Sequence, residues 1–168
     1  MLEIFNNLGP FFEDCYIEFG VREYSRIIGV SPPTASVLLK GFEKQGFLKS
    51  RLDRGNLLFS INSESLVLRN ISCIYWQNKL ANVLDFIEED SFSFGVVLFG
   101  SLSKLETKLD SDIDLVVFSK HKKELDFSRF EKKLKRKIQV FYFESFDKVS
   151  ENLVSSVLNG FVLRGKIE

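Results

Sequence analysis

The chain has 168 residues, enough for one ordinary domain or two small ones. Its formal net charge is zero, which argues against a protein that coats nucleic acid or an anionic membrane by bulk charge. Hydrophobic residues make up 45% of the chain, so a dense core can form. No apolar run reaches the length of about 18 residues that a bilayer requires, and no signal peptide opens the chain, so we expect a soluble cytoplasmic protein. Cys15 and Cys73 lack metal-site spacing and are expected to be buried thiols.

Three helices and a hairpin are predicted in the first 62 residues. Gly9-Pro10 predicts a break in the first helix, and Gly29 ends the second. Ser31 can cap the third helix, with Pro32 as its first residue. The predicted elements are helices over 2–13, 21–28 and 32–46 and a hairpin of strands 47–52 and 56–61.

The segment Val21 to Phe47, VREYSRIIGVSPPTASVLLKGFEKQGF, resembles winged helix-turn-helix domains. The resemblance implies that the helix from Pro32 to Lys44 enters the major groove of DNA while the wing touches phosphate. No Arg, Asn or Gln stands on the front of this helix to make bidentate base contacts, so a protein-interaction or dimerisation module is the alternative. The implied DNA-binding residues are Pro33, Thr34, Ser36, Val37 and Lys40 on the helix and Arg51 and Arg54 in the wing.

Residues 64–89 have the apolar spacing of one long helix, which Ser63 can cap. We expect this helix to link two domains. Trp76, the single tryptophan, is expected to pack between those domains rather than to form a ligand platform.

Two apolar runs around residues 94–119 have the length and composition of buried strands. The first ends in Gly100-Ser101, where free backbone N–H groups can receive phosphate. The second contains Asp112 and Asp114, which are two residues apart and therefore share a strand face. Two carboxylates on one apolar face are costly without a cation between them. The alternative is a pair of aspartates on a surface hairpin.

This motif resembles the signature of the DNA polymerase β nucleotidyltransferase superfamily, and is most similar to the minimal nucleotidyltransferases. Their pattern Gly-Ser-x-Ala-x-Gly, then Ser-Asp-Ile-Asp-Leu, reads here as GSLSKL and SDIDL, with Leu105 in place of the second glycine. The resemblance implies that Mg²⁺ and a nucleoside triphosphate, with ATP expected, bind here, and that a hydroxyl of a protein, nucleic acid or small molecule attacks the α-phosphorus. The implied residues are Asp112 and Asp114 as catalytic metal ligands and Gly100, Ser101 and Ser111 for the nucleotide.

The remaining segments complete a small domain. His121 to Lys137 is predicted to be a basic amphipathic helix, either attracting a triphosphate or an RNA backbone or forming a solvated face. A strand over 138–143 and a helix from Phe146 follow. The ending Asn159 to Gly165 resembles the closing segment of minimal nucleotidyltransferases.

The third carboxylate of the family's metal site has no counterpart on the predicted third strand. Gln139 stands at its position, and a neutral amide cannot take a proton. Glu144 lies five residues on and alternates to the opposite face. The sequence therefore leaves two hypotheses: an active nucleotidyltransferase, or a DNA-binding regulator with a catalytically degenerate nucleotidyltransferase domain.

The predicted fold class is α+β. A winged helix-turn-helix domain is expected over 1–62, a linking helix over 63–90 and a minimal nucleotidyltransferase domain with a mixed sheet over 91–168. Minimal nucleotidyltransferases are often antitoxins, so the resemblance also implies a HEPN-domain protein partner. A homodimer is a further expectation.

Overall fold

The computed structural model describes residues 3–91, 95–120 and 124–167. The chain divides into two compact units. Unit 1 contains the described residues up to Tyr75 together with Leu105–Leu109, and unit 2 contains Trp76–Lys104 and the described residues from Asp110 onward. None of the helices in these described ranges combines the length and apolar character that a membrane crossing requires.

Unit 1 has the three helices and the hairpin in the predicted order, together with a short strand that the sequence did not predict. Its elements are α1 (Glu3–Glu13), β1 (Phe19–Gly20), α2 (Val21–Ile28), α3 (Pro32–Lys44), β2 (Leu48–Asp53) and β3 (Asn56–Ile61). The three strands form an antiparallel sheet in the order β1-β3-β2.

The boundaries of these elements have local chemical causes. Gly29 ends α2 in a left-handed conformation with φ 73°. The Ser31 side chain accepts the Thr34 N–H at 3.3 Å and so caps α3. Arg54 and Gly55 both have positive φ, as a tight hairpin turn requires. The predicted caps and hairpin are confirmed.

The predicted break in α1 is wrong, because the helix continues through Pro10. Proline removes the N–H that would bond to the carbonyl of Asn6, and Asn6 is exposed, so water can satisfy that carbonyl. Leu8, Phe11 and Phe12 are fully buried around the proline. Their burial holds the helix in place.

The predicted single linking helix is also wrong. Two helices replace it, α4 (Leu66–Lys79) and α5 (Ala81–Ser91). Leu80 lies at the break, fully buried, and its carbonyl accepts the Leu84 N–H at 2.9 Å to begin α5. Ser65, not Ser63, stands at the start of α4, where its hydroxyl accepts the Leu68 N–H at 3.3 Å. The apolar spacing continues across the break, so periodicity alone could not locate it.

Unit 2 is built on a four-stranded sheet in the order β6-β5-β4-β7, and the predicted mixed sheet is confirmed. β4 is antiparallel to β5 and β7, and β5 is parallel to β6. Its elements after α5 are β4 (Gly95–Phe99), α6 (Ser101–Lys104), β5 (Ile113–Phe118), α7 (Ser128–Leu134), β6 (Ile138–Phe143), a 3-10 turn (Phe146–Lys148), α8 (Glu151–Leu158) and β7 (Phe161–Gly165).

The basic helix predicted from His121 to Lys137 is shorter than expected. Residues 121–123 lie outside the described residues, residues 124–127 are not helical, and α7 ends at Lys135 in a left-handed conformation. Asp126 accounts for the late start, since its carboxylate accepts the Ser128 N–H at 2.9 Å.

One face of the unit 2 sheet packs against the 3-10 turn and α8. The buried residues of this core are Val97, Phe99, Val116, Phe118, Val149 and Val157. Gly160 lets β7 return tightly onto β4, because a Cβ there would lie 2.7 Å from the Leu98 carbonyl oxygen. Trp76 is fully buried, and its predicted role between domains stays a prediction.

Candidate active site

Three neighbouring strands place polar residues at one edge of the unit 2 sheet. β4 ends at this edge while β5 and β6 begin there, because β5 runs antiparallel to β4 and parallel to β6. Phe99 pairs with Asp114, and Asp114 pairs with Gln139. The Gly100-Ser101 turn, the two aspartates and Gln139 therefore meet, as the sequence motif predicts.

Gly100 lies directly against the Asp114 carboxylate. Its φ is 71°, and a Cβ built on it would fall 2.2 Å from Asp114 Oδ2, so only glycine fits. Ser103 supports this turn from below: it is buried, and its hydroxyl donates to the Gly100 carbonyl at 3.0 Å. Sequence reasoning missed Ser103, although a serine at the family's alanine position was an available signal.

The two leucines of the turn do not enter the site. Leu102 and Leu105 are both buried. Leu105, at the place of the family's second glycine, has φ 62°, so the backbone keeps the conformation that glycine would adopt. A leucine in that conformation costs about 1–2 kcal/mol, which burial of its side chain offsets. The turn is therefore formed despite the altered motif.

The two aspartates have different environments. Asp114 is half-buried, and its pKa is raised, first by burial and then by the negative charge of Asp112. Asp112 Oδ2 accepts the Gln139 amide N–H at 2.6 Å. This hydrogen bond partly compensates the negative charge of Asp112. A third carboxylate at position 139 would instead add to the negative charge of the site. Glu144 follows the end of β6 and is exposed, which leaves Gln139 as the nearest polar side chain on that strand.

This donor set fits a divalent cation that prefers oxygen ligands, such as Mg²⁺. Asp112 and Asp114 would hold the ion. Its positive charge would offset both the burial and the repulsion from Asp112 that raise the pKa of Asp114. Among the described residues, no group of three or more His, Cys, Asp or Glu side chains is arranged to hold a metal. The site therefore offers two carboxylates and one amide.

Arg136 holds the segment that leads into Asp112. Its side chain is buried, and its guanidinium donates to the Ser111 carbonyl at 2.8 Å and lies 5.3 Å from the centre of the Trp76 ring. Ser111, which is predicted to bind nucleotide, is therefore held in place by a hydrogen bond to its backbone carbonyl. No signal in the sequence separated Arg136 from the exposed lysines around it.

In unit 1, most of the predicted DNA-binding residues of α3 are exposed. Val37 has 72% of its surface exposed, although it is apolar. Thr34 is exposed and also bonds to the Ser31 cap. Pro33 and Lys40 are exposed, and Ser36 is half-buried. Proline, valine and lysine at positions 33, 37 and 40 share one helix face.

The two wing arginines differ in their partners. Arg51 Nε donates to Glu18 at 2.8 Å, and this hydrogen bond lowers the pKa of Glu18. Glu18 therefore partly compensates the charge of Arg51, which argues against the predicted contact of Arg51 with DNA phosphate. Arg54 lies exposed at the hairpin turn.

Both cysteines are buried free thiols, as predicted. Burial raises the pKa of each to about 11, so neither is a reactive thiolate near neutral pH.

Comparison with known protein families matches residues 78–163 to the family described as nucleotidyltransferase domain. The matched stretch is just over half of the chain and includes the glycine turn, both aspartates and Gln139. Searches of curated proteins and of solved structures found no match. The family match confirms the polymerase β-type resemblance of this part, while the winged helix-turn-helix assignment stays a prediction. The chain belongs to the nucleotidyltransferase domain family.

Proposed function

We propose that unit 2 binds a nucleoside triphosphate with Mg²⁺ and transfers a nucleoside monophosphate to an acceptor hydroxyl. One observation carries this proposal: the Gly100 turn lies so close to Asp114 that a single methyl group would fill the space between them. A phosphate-binding turn and a carboxylate pair are thereby joined into one site. The family assignment supports the same reaction class.

Each residue has a distinct task in this reaction. Asp112 and Asp114 bind the cation, and the backbone N–H groups of the Gly100-Ser101 turn orient the leaving phosphates. Mg²⁺, when bound, supplies positive charge that stabilises the transferring phosphoryl group. An acceptor oxygen forms a bond to the α-phosphorus, the bond to the bridging oxygen breaks, and pyrophosphate leaves. The hydroxyl proton passes to water, since the Gln139 amide cannot accept it.

Transfer of α-labelled nucleoside triphosphates into protein, nucleic-acid and small-molecule fractions of a cell extract tests the proposal. The double variant Asp112→Asn, Asp114→Asn is expected to lose labelling and Mg-ATP binding. Asp110→Asn, which removes an exposed carboxylate two residues before the motif, is the matched control and should keep both. Labelling by the double variant at the wild-type rate would refute the proposal.

A second candidate function is DNA binding through unit 1, with unit 2 as a degenerate nucleotide sensor. The exposed face of α3 favours it, because an apolar valine 72% exposed between Pro33 and Lys40 suggests a contact surface. Gln139 stands in place of a third carboxylate, which favours the hypothesis that unit 2 binds nucleotide without turnover. A HEPN-domain partner remains a prediction of the family resemblance, and a homodimer remains a separate prediction.

A gel-shift assay with the DNA upstream of the protein's own gene tests the regulator hypothesis. Lys40→Glu in α3 is expected to weaken the shift, whereas Lys120→Glu, an exposed lysine of unit 2, is the matched control. Addition of Mg-ATP should change the affinity if unit 2 senses nucleotide. No retardation of DNA at low salt would rule out this function.

A further inference from the structure

A basic hollow of about 380 Å³ lies on the outer side of α7 and on the turn that joins α7 to β6. Its lining residues are Ser128, Glu131, Lys132, Lys135, Arg136 and Lys137. Four of these six are basic and one is acidic, although the whole chain has a formal net charge of zero. The positive charge is therefore concentrated here.

The acidic residue of the hollow does not neutralise it. Glu131 accepts the Ile138 N–H at 3.0 Å, and its other oxygen accepts Lys137 Nζ at 3.2 Å. Lys132 and Lys135 are exposed, and neither makes an ion pair within the described ranges. Two ammonium groups thus face solvent around an open concave surface, where a compact anion such as phosphate can be bound.

Backbone and side-chain bonds fix the hollow beside the candidate active site. The Ile113 N–H donates to the Lys137 carbonyl at 2.8 Å, and Arg136 donates to the Ser111 carbonyl at 2.8 Å. These bonds join the α7–β6 turn to the residues on both sides of Asp112. In the sheet order β6-β5-β4, the hollow lies at the β6 side of the aspartates and the Gly100 turn lies at the β4 side.

In-line phosphoryl transfer places the acceptor opposite the leaving pyrophosphate. If the Gly100 turn holds the leaving phosphates, the acceptor approaches from the β6 side, where the basic hollow lies. A nucleic acid supplies both a ribose hydroxyl and a row of backbone phosphates. We propose that the basic hollow binds the backbone phosphates of a single-stranded nucleic acid that serves as the acceptor. This inference rests on the proposed transferase function.

The test is the affinity of the full chain for a labelled single-stranded RNA oligonucleotide, measured by fluorescence anisotropy across a salt series without nucleotide. Lys132→Gln, Lys135→Gln is expected to weaken binding about tenfold at low salt. The slope of log affinity against log salt should flatten by about 1.4, since each single-strand phosphate contact contributes about 0.7. Lys120→Gln, Lys148→Gln makes the same change of charge at exposed positions of unit 2 outside the hollow and should bind RNA as the wild type does.

Several outcomes would overturn the inference. Equal losses of RNA affinity in the two double variants would show a general effect of charge. Unchanged RNA affinity of Lys132→Gln, Lys135→Gln, together with lower stability, would show that these lysines only stabilise the end of α7. Displacement of RNA by saturating Mg-ATP would assign the hollow to the triphosphate. If polyglutamate binds as tightly as RNA and depends on the same two lysines, the hollow would be assigned to an acidic protein.

Mg-ATP binding, measured on the same preparations, separates the two proposals. If Lys132→Gln, Lys135→Gln loses RNA affinity but keeps Mg-ATP binding, the result supports RNA binding by the basic hollow. Absence of Mg-ATP binding by the wild type would refute the proposed transferase, and with it the acceptor role of the hollow. If RNA labelling in the transfer assay falls together with RNA affinity in Lys132→Gln, Lys135→Gln, the result supports both the transferase function and the acceptor role of the hollow.

Discussion

Gln139→Glu would restore the third carboxylate of the family's metal site, and its effect can be worked from the geometry. The Gln139 amide donates to Asp112 at 2.6 Å, and Gln139 pairs in register with Asp114. Replacing the amide by a carboxylate removes this hydrogen bond and places a third negative charge beside the first two. We therefore expect a protein that is less stable without metal and more responsive to Mg²⁺.

The two contributions have estimable sizes. A hydrogen bond to a charged group contributes about 1.5–3 kcal/mol. Two like charges about 4 Å apart repel by ~1 kcal/mol in water and ~4 kcal/mol near a protein surface. Because Gln139 is exposed, the lower values apply, and together they give about 2.5 kcal/mol. For a chain of this size, that corresponds to a fall in Tm of about 5–10 °C.

Thermal unfolding in EDTA and in saturating Mg²⁺ is the assay. A cation present at about 100 times its Kd adds ~2.7 kcal/mol, so Mg²⁺ should recover most of the loss in Gln139→Glu. Gln139→Ala is the control: it loses the hydrogen bond but adds no charge, so its Tm should fall less and respond to Mg²⁺ no more than the wild type. Equal Tm values for the wild type and Gln139→Glu in EDTA would refute the reasoning.

Three further changes have defined expected outcomes. Asp114→Asn should raise stability at neutral pH, because the folded-state pKa of this carboxyl is raised and its charged form is disfavoured by folding. The gain should shrink as the pH falls through that raised pKa and vanish below the usual pKa of aspartate; a gain that is constant with pH in metal-free urea unfolding would contradict this. Gly100→Ala should cost at least ~1–2 kcal/mol in urea unfolding, since alanine is strained at φ 71° and its Cβ would displace the Asp114 carboxylate, and Mg-ATP binding should be lost with it; unchanged binding would contradict the site. Tyr24→Phe should cost about 1–2 kcal/mol in chemical denaturation, because the buried Tyr24 hydroxyl donates to the Asn7 carbonyl at 2.8 Å, and an unchanged midpoint would show that this hydrogen bond contributes nothing.

The candidate site could be predicted because its determinants are local. Gly100 directly follows one strand, Asp112 directly precedes the next and Asp114 lies within it, so the two-residue spacing suffices to bring the aspartates to one face. Gln139 was located because a third apolar run follows at the correct distance. Ser103 and Arg136 were missed, since their roles depend on which carbonyls lie next to them in space, namely those of Gly100 and Ser111.

Helix boundaries show the same division between local and tertiary causes. The Ser31 cap and the Gly29 end were predictable, because each acts through its own neighbours in the chain. The unbroken α1 through Pro10 and the break at Leu80 were not predictable, because burial of the surrounding side chains decides both.

The sequence by itself determined the three helices and the hairpin of unit 1, the presence of a mixed sheet in unit 2 and the nucleotidyltransferase motif, since alternation, capping and turn residues act over a few positions. Only the tertiary structure decided that the Gly100 turn touches Asp114, that Gln139 donates to Asp112, and that the α7–β6 turn carries a basic hollow beside them. These contacts join residues on different strands. Their distances follow from sheet register and side-chain packing, which no single stretch of sequence encodes.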